Sequence, residues 1–589
     1  MPKRMVLLPL TLLCSSMLAG AQLAGPERAD DWRTSKRIID VHLHLDYTTQ
    51  HLARAVRILD AAGVGLGLNL SGGMTSKTAD DGASEFERNV RLAETLFPGR
   101  FMHSMNLDYS GWDDPDFSDR AVKQVEAGYR LGAAGLKEFK RLGLFLKDSS
   151  GKLFRVDDPR LDPVWQKCGE LNMPVSIHVA DPKAFWLPYD ERNERWEELK
   201  DHPKWWFGDP KQYPPWKSLL ESLDRVIARH PGTTFICVHF ANNAEELDWV
   251  DAALSRHPNM YADLAARIPE LGRHEPEAVR RLFIKHQDRI LFATDFQVYD
   301  RLILGSSGNE PPPSDADAET FFRKEWRWLE TSDLKWAHMT PIQGKWTIDS
   351  IHLPEPVLRK VYFDNARRLF ARSIPKPTLT ARRISRELSD DVEGDRDLWS
   401  TATPVVVDQD SVDGRVRHEM ATRVQALWSD HTLYLRYTCP FTKLTTFEPS
   451  QTNKKRFDLS QAGSSLWDGD VVEAFIGSDP KDSSRYAEFE VAPTNEKLDL
   501  LITHLPEKDF TWSSGFTSTA TIEDQTKVWI CQMAIPLKSL AGSQPSPGTT
   551  WRVNLYRCDR ANRAALAWVP TLEGSFHVPG RFAWLRLAE

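Results

Sequence analysis

From residue 38 to about residue 295, short apolar runs alternate with longer stretches in which apolar residues recur every three or four positions. That rhythm predicts parallel β/α units. The strand-like runs are 38–42, 64–69, 101–106, 135–139, 175–178, 234–239, 259–263 and 290–294. Residues 85–97 illustrate the helices between them, with Phe86, Val90, Leu92, Ala93 and Leu96 near one face. Units of this kind, eight in a row, predict an α/β fold, a closed (β/α)8 barrel with its chemistry at the C-terminal strand ends. The stretch from 182 to about 216 is dense in Trp, Pro and charge, and it is too long for a plain connection. It predicts an ordered functional loop over that end. Residues 354–372 read as a closing helical segment.

After Trp399 the pattern becomes one of short strand-like runs, 433–437, 471–476, 486–491, 528–535 and 551–557, separated by turn-rich segments. An all-β sandwich follows. The polar stretch after Ser373, with Pro375 and Pro377, marks the boundary. Residues 1–21 combine Lys3 and Arg4, an apolar run over 5–18 and Ala19-Gly20-Ala21, the layout of an export signal. The apolar run falls short of the about 20 residues a spanning helix needs. The expected division is therefore signal 1–21, barrel 22–374, linker 375–387 and sandwich 388–589. The mature chain would be periplasmic or secreted, with no membrane span.

Composition narrows the classes. The chain has 589 residues, 41% hydrophobic and 27% charged, which is globular and too long for one ordinary core. Its formal net charge is -8 with no long basic run, which excludes nucleic acid as an expected partner. Cys168, Cys237, Cys439, Cys531 and Cys558 show no C-x-x-C spacing, so no zinc ribbon is implied. Pairing among Cys439, Cys531 and Cys558 stays open.

Candidate chemistry sits at the strand ends. In Asp40-Val41-His42-Leu43-His44 the two histidines point to one side of a strand, as two imidazoles sharing a metal ion must. His178, His239 and Asp295 close the fifth, sixth and eighth predicted strands. In a closed barrel the five converge. On the fourth strand Lys137 and Glu138 face opposite ways, so only one points inward. Asp181, Asn193, Glu194, Arg195 and Arg267 are candidates for substrate contact, and Trp186, Trp205 and Trp206 either wall the site or pack the loop.

This ordered set, with the closing run 358–367, resembles the amidohydrolase superfamily over roughly residues 36–372. The similarity is greatest to the amidohydrolase-related branch that includes the aminocarboxymuconate-semialdehyde and resorcylate decarboxylases. The resemblance implies His42, His44 and His178 as metal ligands, Asp295 as ligand or proton acceptor, and His239 as acid/base or electrostatic partner. One divalent ion is expected, most simply Zn²⁺, whose bound water can reach a pKa of about 7. Binuclear relatives bridge a second ion from the fourth strand, a role open to Lys137 or Glu138; otherwise Lys137 is a catalytic-site contact. The expected function is metal-dependent hydrolysis of a C–O or C–N bond in a small molecule, such as a lactone, ester or amide of carbohydrate-derived material. Decarboxylation of a small carboxylic acid is the alternative, and a secreted carbohydrate-binding scaffold with an inactive barrel is the non-enzymatic one.

The runs 467–475 and 486–493, with matches at 534–536, 551–557 and 576–579, resemble the family-9 carbohydrate-binding modules over roughly 388–589. A sugar offers C–H faces to indoles and hydroxyls to fixed polar groups. Trp467, Trp512 and Trp568 are candidates for stacking, and Glu473 and Arg557 for hydrogen bonding, which would make polysaccharide a partner. Trp399, Trp428, Trp529 and Trp551 read as core.

Overall fold

The computed structural model describes residues 29–34, 36–76, 78–306, 310–389, 395–447, 457, 465–479 and 482–589. The expected export signal, 1–21, lies outside them. The chain separates into two compact units between Pro375 and Lys376.

The first unit is built on eight parallel strands: β1 (Ile38–Leu45), β2 (Val64–Asn69), β3 (Phe101–Asn106), β4 (Gly135–Glu138), β5 (Val175–Ile177), β6 (Phe235–Cys237), β7 (Met260–Asp263) and β8 (Ile290–Leu291). Each pairs in parallel with the one before. The sheet closes where Val41 N–H donates to Phe292 O (3.1 Å) and Asp295 N–H to His42 O (3.0 Å). Every residue of β1, β3, β4, β5 and β6 is buried. Strands covered on both faces read as continuous apolar runs, which is why they were legible.

The helix Thr49–Ala62 shows how a covering element is specified. Thr48 caps it by accepting from His51 N–H, and Gly63, at φ 82, ends it in a conformation other residues rarely adopt. Leu52, Ala55, Ile58, Leu59 and Ala62, three or four apart, form its buried stripe. The long insertion after β5 folds into short helical turns, Lys183–Trp186, Trp196–Leu199 and Pro203–Trp205. Its indoles hold it: Trp186 donates to Pro214 O, Trp206 to Leu187 O and Trp216 to Asp181 O. Among the described residues no helix is long and apolar enough to cross a membrane.

The second unit is a mostly antiparallel sheet folded back on itself as a sandwich. Its path runs 507–509, 497–504, 486–491, 471–477, 550–559, 583–588, 378–383, 422–428, 432–440, 528–536, 517–523. One core joins Val472, Ala474 and Phe489 from one half to Leu433, Tyr437, Trp529 and Met533 from the other. The expected linker, 375–387, is corrected: Thr378–Arg383 is a strand between Ala583–Ala588 and Thr422–Trp428. It looked like linker because only Leu379 and Ala381 turn inward while threonines and arginines face out. The five described cysteines are all free and buried.

On the other face of that sheet Glu473 and Glu490 lie opposite each other on paired strands, with Glu488 beside them, all buried. Cys558 Sγ donates to Glu473 Oε1 (3.6 Å), and Lys508 reaches His577 Nε2 (2.5 Å), which lies 3.6 Å from Glu488 Oε2. Burial drives all three carboxyls up, Glu473 to about 8. Such groups fold protonated. The stability they confer is whole below the ordinary glutamate value of 4.5 and is lost as pH rises towards about 8, on the order of 5 kcal/mol for one group so moved. A 376–589 fragment should therefore melt cooperatively and lose stability steadily between those pH values. Glu490→Gln should flatten that dependence in thermal melts; an unchanged pH slope would remove the carboxyl cluster as its cause.

Candidate active site

β1 ends with His42 and His44 on one side, and the closure of the sheet sets Asp295 against them. His42 Nε2 and His44 Nε2 are 3.3 Å apart, and Asp295 Oδ1 is 3.7 Å from each. The far nitrogens are occupied: His42 Nδ1 meets Asp263 Oδ2 at 2.9 Å, and His44 Nδ1 meets Ser71 Oγ at 2.7 Å. Donation from Nδ1 leaves the Nε2 lone pairs facing one another and a carboxylate oxygen. Burial, then the nearby Lys137, holds both histidines well below the ordinary imidazole pKa, so they are neutral. Two imidazole nitrogens and a carboxylate oxygen converging in this way fit a cation. These are the residues whose ligand atoms all lie within 4.8 Å of one another.

His239 ends β6 beside this group, its ring centroid 4.9 Å from that of His42. Its Nδ1–H donates to Ala265 O (2.9 Å), which leaves Nε2 as the acceptor. Its backbone, like that of Phe240, Ala241 and Asn242, is left-handed, with φ from 52 to 59. His178 packs 4.5 Å from the His239 ring, but its Nε2 is turned to Ala180 O (2.8 Å), so it stands outside the trio. On β4 the inward residue is Lys137, whose Nζ is 3.5 Å from His42 Nε2. Burial brings Lys137 down to about 8, against the pull of Asp263 and Asp295. Glu138 turns the other way, towards Tyr109 and Arg141. Burial likewise lifts Asp295 to about 7, opposed by Lys137 and Arg267.

The family model described as Amidohydrolase matches residues 39–372, more than half of the chain. The chain belongs to the amidohydrolase family. Residues 391–589 match the model described as Carbohydrate family 9 binding domain-like. Among individual proteins, an "Extracellular protein" of Arthroderma benhamiae is 26% identical over 179 residues, 27% of this chain and 76% of that one. A 2,6-dihydroxybenzoate decarboxylase from Rhizobium shares 16% identity over 57% of this chain and 99% of its own, with a TM-score of 0.34. A family-9 carbohydrate-binding module from Caldicellulosiruptor kristjanssonii, solved with cellotriose, shares 13% identity over 36% and 94%, with a TM-score of 0.27.

This group of residues opens into a cavity of about 420 Å³ lined by His44, Lys137, His178, His239, Arg267 and Asp295, with Phe139, Phe145, Phe185 and Trp205 as apolar wall. Arg267 Nη1 donates to Ala266 O; Asp263 and Asp295 attract Lys137, and Glu245, Asp181 and Glu198 attract Arg267. Asp181 also lines the cavity, bound to Lys140 Nζ at 2.6 Å. Although burial pushes its carboxyl up, Lys140 and His178 pull it well below the usual range. Glu194 does not line the cavity; it is exposed and pairs with Arg273 at 2.9 Å. Asn193 is spent on the backbone, donating to Ala184 O and Pro188 O.

Arg195 reaches the cavity wall, but it is buried between Glu198 (2.9 Å) and Glu270, and Ser306 donates to Glu198. It latches the insertion to the barrel top. Sequence reading missed Glu198, Glu270 and Asp263; the strand-end rule applied to β7 would have found Asp263. In the second unit Trp467 and Trp512 are half-buried, and Lys508 Nζ lies 5.9 Å from the Trp467 ring. Trp568, Glu473 and Arg557 are interior. Arg557 is corrected from sugar contact to structural residue, because Met420 O, Thr422 Oγ1, Pro440 O and Asp559 consume its donors.

Removing one partner of a buried ion pair leaves the others uncompensated, typically a loss of about 3–5 kcal/mol. Arg195→Met should thus lower the stability of the barrel unit by that order and speed protease cleavage within residues 182–216. Cleavage at the wild-type rate would show that the latch does not hold the insertion.

Proposed function

We propose that this chain is an exported, metal-dependent hydrolase that cleaves a C–O or C–N bond in a small or carbohydrate-derived molecule. The observation that carries the reading is the meeting of His42, His44 and Asp295 with the unprotonated Nε2 side of His239 over one cavity. His42, His44 and Asp295 would hold a divalent ion, most simply Zn²⁺, with His178 as the candidate fourth ligand. When bound, the ion supplies Lewis acidity towards the scissile carbonyl and makes water acidic enough to ionise near neutral pH. Asp295 accepts a proton from the attacking water. The proton that Asp295 takes from the water passes to His239 Nε2 and from there to the leaving group, which the Nδ1–H tautomer of His239 permits. Lys137 and Arg267 offer positive charge to an oxyanion.

Those two cations on the cavity wall also favour a second reading, removal of CO2 from a small carboxylic acid, because a substrate carboxylate would pair with them. A second metal would need a bridging group from β4, where Lys137 is the residue facing in. The C-terminal unit is proposed to hold polysaccharide near the exposed edge of Trp467, and the name of the Arthroderma benhamiae relative supports export.

Purified protein should carry about one divalent ion per chain. Elemental analysis should show it lost in His42→Ala and weakened in His178→Ala, while His239→Asn keeps the ion and lowers kcat by roughly 10²–10⁴-fold. Metal-free wild type with full activity would end the proposal, and CO2 release without hydrolysis would select the lyase. For the second unit, Trp467→Ala should abolish retention on oligosaccharide affinity gels; unchanged retention would move the sugar site elsewhere.

A further inference from the structure

The carboxylate of Asp263, at the end of β7, is fully buried and touches both halves of the site. Its Oδ2 takes His42 Nδ1 at 2.9 Å. Its Oδ1 takes the backbone N–H of His239 at 2.7 Å and that of Ala265 at 3.3 Å. Ala265 in turn supplies the carbonyl that receives His239 Nδ1–H at 2.9 Å. The backbone at His239 is left-handed, a conformation a side chain such as histidine adopts only when its surroundings enforce it.

We infer that Asp263 is the positioning residue of the centre, fixing the Nδ1–H tautomer of His42 and, through the Ala265 backbone, the orientation of His239. Oδ1 already accepts two backbone N–H groups, and with Asp263 as the carboxylate Oδ2 accepts as well: the ring nitrogen facing it then carries the proton, and the opposite nitrogen keeps its lone pair for a cation. A carboxylate behind a ligating imidazole commonly changes metal affinity by 10–100-fold, and here the same carboxylate also braces the neighbouring acid/base residue. The inference rests on the reading of His42 as a metal ligand.

Asp263→Asn separates the two duties. The amide oxygen still accepts from His239 N–H and Ala265 N–H, so the turn is retained. The amide nitrogen now donates towards His42 Nδ1, which drives the imidazole proton to Nε2 and points an N–H at His44 and Asp295. Divalent-metal affinity, read by competition with a chromogenic chelator, should fall 10–100-fold while the melting temperature stays near wild type. Nitrogen NMR of histidine-labelled, metal-free protein should place the His42 proton on Nδ1 in wild type and on Nε2 in the variant. That readout needs neither metal nor activity. If wild type takes up no metal yet the tautomer switches, the reading of the site fails and the role of Asp263 stands. A His42 proton on Nε2 in wild type, or an affinity in Asp263→Asn within threefold of wild type, overturns the inference.

Discussion

Closing on itself lets a parallel sheet pair the backbone groups of its first and last strands, and here the seam passes directly through the site. Asp295 N–H donates to His42 O, so the last strand end is registered against the first metal-candidate histidine. Asp40 braces the seam from within: its carboxylate accepts from His42 N–H, Thr294 N–H and the Thr294 hydroxyl. Because side chains alternate along a strand, a slip of one residue would turn His42 and His44 away from the cavity. Asp295 itself sits at φ 61, in left-handed backbone, which bends the chain at the seam. The geometry of the donor trio is therefore a consequence of barrel closure.

Closure also buries charge. Lys137 is brought down to about 8 while Asp263 and Asp295 are lifted to about 7, all by loss of water, so each group is pushed towards its neutral form. These ionisable groups face one another across a few ångströms in a medium that screens them weakly. An ion or a charged ligand entering the cavity would stabilise the folded state by the free energy of its binding, because the unfolded chain holds no such site.

The strands of the barrel were legible because residues buried on both faces must be apolar, and their ends were legible because the strand period aligns His42 with His44. What escaped is decided by partners distant in sequence. Arg195 reads as a substrate-binding arginine until Glu270 and the Ser306–Glu198 bond appear beside it. The ring of His178 is set by one local hydrogen bond to Ala180 O, a rotamer choice that strand position does not encode. In the sandwich, the runs 433–437, 471–476 and 486–491 were plain. Thr378–Arg383 was not, because a strand with one inward row of small or single apolar residues has the composition of a linker.

Both units bury carboxylates, and the difference between them separates a site from a scaffold. In the sandwich, Glu473, Glu488 and Glu490 share a face with Phe475, Tyr486 and Tyr556, and burial is answered by keeping the proton. In the barrel, Asp295 faces a cavity together with neutral imidazoles and with the cations Lys137 and Arg267. A protonated carboxyl sealed among aromatics carries no net charge for a ligand to meet. Imidazole lone pairs, a carboxylate and two cations gathered on one open cavity present charge to whatever enters it, which a bound ion and a substrate would answer.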